Sequence, residues 1–198
     1  MPDASQPTQP SHPLEPLERA TLLKLARQAL QDGVKGRPRT RLNLDALPPR
    51  LRQPGTTFVT LTIGGELRGC VGGLEVSLPL AEDVRTHAVA AALEDYRFPP
   101  VRPAELRSIS IEISRLTQPQ PLEYDRPEEL PARLRPGLDG VVLVDGLRRA
   151  TFLPQVWEKV PEPEIFLSTL CRKMGAASDL WRLKKLAVLT YQVEEFHE

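Results

Sequence analysis

Cysteine is scarce in this 198-residue chain, with Cys70 and Cys171 far apart in sequence, so a disulfide framework is not expected and both thiols read as reduced. Three histidines, His12, His87 and His197, complete a thin set of soft ligands. No Cys and His set has zinc spacing, and no three-cysteine cluster can hold an iron–sulfur centre. No glycine-rich loop ends in Lys-Ser or Lys-Thr as a nucleotide site would, so no built-in cofactor or metal is expected. Long apolar runs are missing too, none approaching the roughly 20 residues that cross a bilayer. The stretch from Met1 to Pro13 lacks a basic segment followed by an apolar one, so it does not read as a secretory signal, and a cytoplasmic location is expected. Charge of one sign is also lacking. Twenty-six basic and 26 acidic side chains cancel, which removes the global field that would gather nucleic acid or an anionic membrane. One local strip, Lys35, Arg37, Arg39 and Arg41, remains as a phosphate-binding candidate, although its alternation better suits a solvated extended loop.

What is present is a globular composition, 40% hydrophobic and 26% charged, punctuated by 21 prolines that mark many turns. Residues 1–13 are rich in Pro, Gln, Ser and Thr and read as a disordered arm, with one folding unit over 14–198. Leu17, Leu22, Leu25, Ala26, Ala29 and Leu30 recur at helical spacing until Gly33. A long loop over 36–54, with a turn near Leu42 to Leu47, leads to a β-rich run from Phe58 to Ile63. Gly64-Gly65 then turns the chain into the cysteine segment. A helix from Pro79 to about Glu94 follows, with Leu80, Val84, His87, Ala88 and Ala91 along one face. Ile109, Ile111 and Ile113 alternate with Ser110, Glu112 and Ser114 as a strand with one polar face. Strands over 140–145 and 148–153, a helical turn over 154–157, helices over about 162–174 and 178–183, and a last strand over 186–196 complete the pattern. In that last strand Leu189, Tyr191 and Val193 are expected to point inward. Hairpins mixed with helices, rather than a regular β–α alternation, predict an α+β fold with mostly antiparallel sheet.

Chemistry concentrates at Leu67-Arg68-Gly69-Cys70-Val71-Gly72-Gly73. Glycines on both sides of Cys70 permit positive φ and close approach of another group, and a thiolate beside a cation is a nucleophile. The same segment's N–H groups can hold an oxyanion or phosphate, which makes Gly69 and Gly72 substrate-binding candidates. Equally, a lone cysteine can be a small buried hydrophobe beside a β-bulge. Arg68 is read as an activating or anion-clamping cation, with the alternative of a surface ion pair. Glu112 is a candidate base or orienting carboxylate, against a solvated strand face. His87 is either a base reaching Cys70 or a hydrogen-bonded residue at the core edge. Thr151 and Gln155, in Thr151-Phe152-Leu153-Pro154-Gln155-Val156-Trp157, are candidate pocket-lining groups, and Cys171 reads as helix packing.

The ordered strings LRGCVGG, PLAEDV, RFPP, IEIS, LRPGLDGVVL, RRATFLPQVW, FLSTLCRKMG and YQVEEF closely resemble the AMMECR domain family, known in prokaryotes as protein A of the AmmeMemoRadiSam system. Val71 stands where the family's LRGCIG has isoleucine, a conservative change. The resemblance runs from about Leu14 to the C-terminus. It implies a two-lobed α+β fold with the cysteine motif near a cleft between a larger and a smaller lobe. It also implies a Memo-like protein and a radical SAM protein as companions. No reaction comes with the resemblance. Two readings follow from it: a Cys-dependent enzyme acting on a small anionic or acyl-type substrate through Cys70, Arg68 and Glu112, or a non-catalytic adaptor or regulator of those companions.

Overall fold

The computed structural model describes residues 13–198. The arm expected over 1–13 therefore lies, except for its last residue, outside the described residues. In chain order the elements are α1 (Pro16–Val34), β1 (Thr56–Ile63), β2 (Glu66–Gly72), α2 (Leu80–Leu93), β3 (Ile109–Leu116), β4 (Gln120–Pro121), α3 (Leu130–Arg133), β5 (Gly140–Asp145), β6 (Arg148–Phe152), α4 (Pro163–Lys173), α5 (Leu180–Leu183), β7 (Ala187–Tyr191) and β8 (Val193–His197). The mixture of helices with two four-stranded sheets is the expected α+β class. Two compact units emerge, one running to Thr117 and resuming at Glu194–Glu198, the other spanning Gln118–Val193.

The first unit is a sheet in the order β2-β1-β3-β8 with α1 and α2 on one face. Pro16 opens α1 with its ring at a position that has no helical hydrogen bond to lose, and the Glu15 amide donates to Glu18 Oε2 at 2.9 Å as part of a capping box. Leu22, Ala26, Ala29 and Leu30 are buried as the spacing predicts, whereas Leu17 is 72% exposed because the buried stripe runs back from Leu22 through Glu18, leaving Leu17 off that face. Ala81, Val84, Ala88 and Ala91 of α2 pack against Val59 and Leu61 of β1 and Ile111 and Ile113 of β3. Alanine along that helix face lets the helix backbone come close to the strands. Gly64 and Gly65 turn β1 into β2 with φ of 60° and 87°, the positive values a two-residue hairpin demands. The loop before β1 is firmer than expected, holding two 3₁₀ turns at Leu44–Ala46 and Pro49–Arg52, the second burying Leu51.

The second unit is a sheet in the order β4-β7-β5-β6, entirely antiparallel in its registers. Against it pack Phe166, Leu167, Leu170 and Cys171 of α4, and Gly175 ends that helix with φ 74°. Trp157 stacks on Phe166 with centroids 3.7 Å apart, and its Nε1–H donates to the Asp139 carbonyl at 2.7 Å.

The single last strand expected over 186–196 is two strands. β7 belongs to the second sheet and β8 to the first, with Gln192 between them. The inward set shifts accordingly: Val188 and Tyr191 are buried, while Leu189 and Val193 are only half-buried. No helix among the described residues is long and apolar enough to cross a membrane.

Candidate functional site

The LRGCVG segment is a strand, and an edge strand. Cys70 lies opposite Thr60 of β1, and Thr60 lies opposite Glu112 of β3, so the three residues form one row across the sheet. Val59, Leu61, Ile111 and Ile113 alternate with them and are fully buried under the helices. Strand alternation therefore puts Cys70, Thr60 and Glu112 on the face turned away from α1 and α2, where all three are half-buried. The Thr60 hydroxyl donates to Cys70 Sγ at 3.4 Å.

Among the described residues β2 has no neighbouring strand on its outer side, and a side-chain pair serves the Cys70 peptide instead. The Cys70 N–H donates to Asp95 Oδ2 at 2.8 Å, and Arg97 Nη2 donates to the Cys70 carbonyl at 3.2 Å. Arg97 also grips Asp95 through Nε to Oδ1 at 2.9 Å and Nη2 to Oδ2 at 2.7 Å. A carboxylate and a guanidinium thus occupy the places that a strand's carbonyl and amide would take. Because both peptide groups of Cys70 point outward, its pairing with Thr60 is of the non-hydrogen-bonded kind, in which facing side chains approach closest. The Arg97 hydrogen bond, aided by the Cys70 amide, holds the buried Asp95 carboxyl well below the usual carboxylate range despite its burial.

The flanking glycines serve packing. None of Gly69, Gly72 and Gly73 has positive φ. A Cβ on Gly69 would lie 2.0 Å from the Ala91 carbonyl oxygen of α2, and one on Gly72 would lie 2.4 Å from the Phe58 ring. Close approach, one of the two uses expected of these glycines, is what the fold makes of Gly69 and Gly72, whereas a Cβ on Gly73 would meet nothing nearer than 3.9 Å. The Cys70 amide is committed to Asp95 and so does not offer itself to an oxyanion.

Arg68 is placed differently from a strictly alternating strand. Leu61 faces Gly69 while Thr62 faces Leu67, which leaves Arg68 as the extra residue of a bulge. Its guanidinium pairs with Glu105, Nε to Oε1 at 2.8 Å. That hydrogen bond, with one from the Arg102 amide, holds the Glu105 carboxyl down to about 2. The cation that touches Cys70 is Arg97, two residues after Asp95 in a stretch that reads in sequence as a mere corner. The Asp-x-Arg spacing around that corner was the available signal.

Glu112 is brought into the Cys70 row, and its proton affinity is raised by burial and by the negative charge of Glu195, with His197 acting in the opposite sense. His87 is not brought there. Its Nδ1 lies 3.1 Å from Asp83 Oδ2, and the same oxygen accepts from Thr57 N at 2.8 Å and Thr57 Oγ1 at 2.7 Å. Thr57 alternates with Thr60 onto the helix-covered face, so the sheet itself separates His87 from the Cys70 sulfur. His87 is the hydrogen-bonded core-edge residue. Thr151 and Gln155 belong to the second unit. The Thr151 hydroxyl bonds the Val141 carbonyl and the Tyr191 hydroxyl, each at 2.9 Å, and Gln155 sits in the 3₁₀ turn Pro154–Glu158. Burial pushes the Tyr191 phenol up to about 12 and raises the Cys171 thiol, marking both as packed interior groups. In the basic strip, Arg37 pairs with Asp32 at 3.8 Å and Arg39 with Glu82 at 2.5 Å. Among the described residues no group of three or more His, Cys, Asp or Glu is arranged to hold a metal ion.

A two-sheet α+β chain with a Gly-flanked cysteine on an edge strand is the class that fold and site define. The chain belongs to the AMMECR1 family, whose model matches residues 23–196. A protein of Methanothermobacter thermautotrophicus is 41% identical over 179 residues, covering 90% of this chain and 93% of its own. One from Thermofilum pendens is 40% identical over 190 residues, covering 90% and 89%. Among solved structures, the crystal structure of an uncharacterised protein from Pyrococcus horikoshii superposes with a TM-score of 0.82 at 32% identity, covering 93% of each chain.

Proposed function

We propose that the chain is a cysteine-dependent enzyme acting on a small acyl-type substrate, with Cys70 as the nucleophile on the outer face of its first sheet. The observation that carries this reading is the hydrogen bond from Thr60 Oγ1 to the Sγ of a half-buried Cys70, on a peptide fixed at both ends by Asp95 and Arg97. A sulfur accepts such a bond more strongly as thiolate than as thiol. Fixing the peptide removes the freedom that a flexible loop cysteine would have to lose on meeting substrate. The cation in reach is Arg97 rather than Arg68.

The test is alkylation by iodoacetamide across a pH series, read residue by residue with mass spectrometry, with the fully buried Cys171 as internal control. Cys70 is expected to react at neutral pH, and Thr60→Val to slow it by about threefold, the loss of a modest hydrogen bond. A Cys70 inert up to about pH 8.5, the ordinary thiol range, refutes the nucleophile.

A second reading, an adaptor for a Memo-like protein and a radical SAM protein, draws support from exposed apolar groups around the motif. Tyr96, between Asp95 and Arg97, is 95% exposed, and Leu67 is 43% exposed. Aromatic side chains are frequent anchors of protein interfaces. Co-purification of tagged protein with those two companions, with Tyr96→Ala as control, tests it. No association under reducing, low-salt conditions counts against it.

A further inference from the structure

The row that holds Cys70, Thr60 and Glu112 continues into β8, the strand paired to the far side of β3. The Glu198 amide donates to the Ile111 carbonyl at 3.1 Å, and the Ser114 hydroxyl bonds Glu195 Oε1 at 3.4 Å. Both contacts fit one antiparallel alignment, and in it His197 stands beside Glu112. Phe196 is buried in the helix-side core, so alternation turns Glu195 and His197 to the same face as Glu112 and Cys70. Arg27 of α1 pins the end of β8 by pairing with the Glu198 carboxylate and donating to the Ile109 carbonyl at 2.7 Å. A sulfur, a hydroxyl, a carboxyl and an imidazole therefore lie in order across four adjacent strands. At about 4.8 Å between strands, the Cα of Glu112 is about 10 Å from that of Cys70 and that of His197 about 15 Å. These spacings leave the Thr60 side chain between sulfur and carboxyl, with a substrate bridging over it, and put the imidazole beside Glu112 rather than beside Cys70.

We propose that Glu112 is the proton-transfer group of the Cys70 site and that His197 is its positioning residue; this rests on the reading of Cys70 as an acyl-accepting nucleophile. The substrate class is an acyl ester or thioester lying across the strands, its carbonyl over Cys70 and its leaving atom on the Glu112 side. The thiolate sulfur bonds to the acyl carbon, the bond to the leaving oxygen or sulfur breaks with its electron pair, and Glu112 supplies the proton that atom takes. Water then adds to the acyl-cysteine. Its proton passes to the Glu112 carboxylate, the carbon–sulfur bond breaks, and the carboxylic acid departs from a regenerated thiolate. No oxidant or metal is required. Burial and Glu195 favour the protonated carboxyl that the first step needs, and the neighbouring His197 opposes them, which keeps Glu112 able to ionise for the second. Among the described residues the charged or titratable groups facing Glu112 are Glu195 and His197 on β8, with Cys70 toward the other edge beyond the neutral Thr60 hydroxyl.

The experiment uses the full chain and p-nitrophenyl acetate as the acyl probe. Wild type is expected to form acetyl-Cys70 and release it with a pH-dependent rate. Glu112→Gln is expected to slow turnover at least tenfold while iodoacetamide alkylation of Cys70 stays within twofold of wild type. His197→Gln is expected to move the Glu112 titration, followed by carboxyl NMR, to higher pH, together with the matching limb of the turnover profile. His197→Phe, which keeps a ring on the strand, should do the same, so a merely structural part for the imidazole would show as no shift. Reactive Cys70 with wild-type turnover in Glu112→Gln, or an unmoved Glu112 titration in His197→Gln, overturns the inference and leaves the nucleophile standing. Failure of wild type to form acetyl-Cys70 overturns both.

Discussion

Replacing Gly69 by alanine separates packing from access as the reason for glycine beside Cys70. A Cβ built there meets the Ala91 carbonyl oxygen at 2.0 Å and its carbon at 3.1 Å. Both are backbone atoms of α2, so no side-chain rotation relieves the overlap, and strand and helix must part by about 1 Å in a close-packed interior. Overpacking of this kind costs about 1 to 3 kcal/mol, and the backbone contact places Gly69→Ala at the upper end, about 3 kcal/mol. For a chain of this size that lowers the melting temperature by about 6 to 12 °C. Gly73→Ala is the control. Its Cβ would find no atom nearer than 3.9 Å, and a change within about 0.5 kcal/mol is expected. Urea denaturation and thermal melts followed by circular dichroism, on reduced protein at matched concentration, give both numbers. Gly69→Ala as stable as wild type, or Gly73→Ala as damaged as Gly69→Ala, would refute the reasoning.

The Glu105 carboxyl, held at about 2 against an ordinary 4.5, contributes stability that is full above pH 4.5 and disappears as pH falls toward 2. Arg68→Ala should therefore cost about 1 to 2 kcal/mol at neutral pH after solvent screening, with the gap to wild type closing between about pH 5 and pH 2 in urea titrations. A gap constant over that range contradicts the assignment. Asp95→Ala strips the Cys70 amide and Arg97 of their partner, and should cost about 2 to 4 kcal/mol and accelerate hydrogen exchange at the Cys70 amide. Unchanged exchange there would sink the edge-clamp interpretation. Cys171→Ser places a hydroxyl among Phe166, Leu167 and Leu170 and should lose about 1 to 3 kcal/mol, whereas Cys70→Ser, on the half-buried face, should lose under about 1 kcal/mol. Denaturant midpoints in the reverse order would refute this reading of the two thiols.

Much of the fold was written in periodicity. The isoleucines at 109, 111 and 113 alternate as a strand must, α2 shows its alanine face, and Gly64-Gly65 can make only a tight turn. What periodicity could not carry was register and interruption. Residues 186–196 form one unbroken β-rich run without glycine or proline, and only tertiary pairing divides it at Gln192. A bulge beside Cys70 was conceivable from the glycines, but its position at Arg68 has no mark in the sequence, since the extra residue is defined by what faces it on β1. For the candidate site, Cys70 and Glu112 were both visible as residue types in suggestive settings, but their common row depends on two strand registers. Asp95 and Arg97 were hidden because a turn motif and an edge-strand clamp use the same letters. Thr60 was hidden inside a strand-forming string, where threonine is ordinary.

The division of that last run has a consequence for how the chain finds its fold. The first sheet waits for β8, whose Glu198 meets Ile111 across 87 positions. Within the second unit, however, β4 lies against β7, Gln120 opposite Thr190, so the places where the chain enters and leaves that unit are neighbours. Once the second unit has formed, a connection of some 75 residues is reduced to a few effective links. Loop-closure entropy falls by about 2 kcal/mol on that account, and β8 is delivered near the end of β3 by a folded staple rather than by a search through open coil.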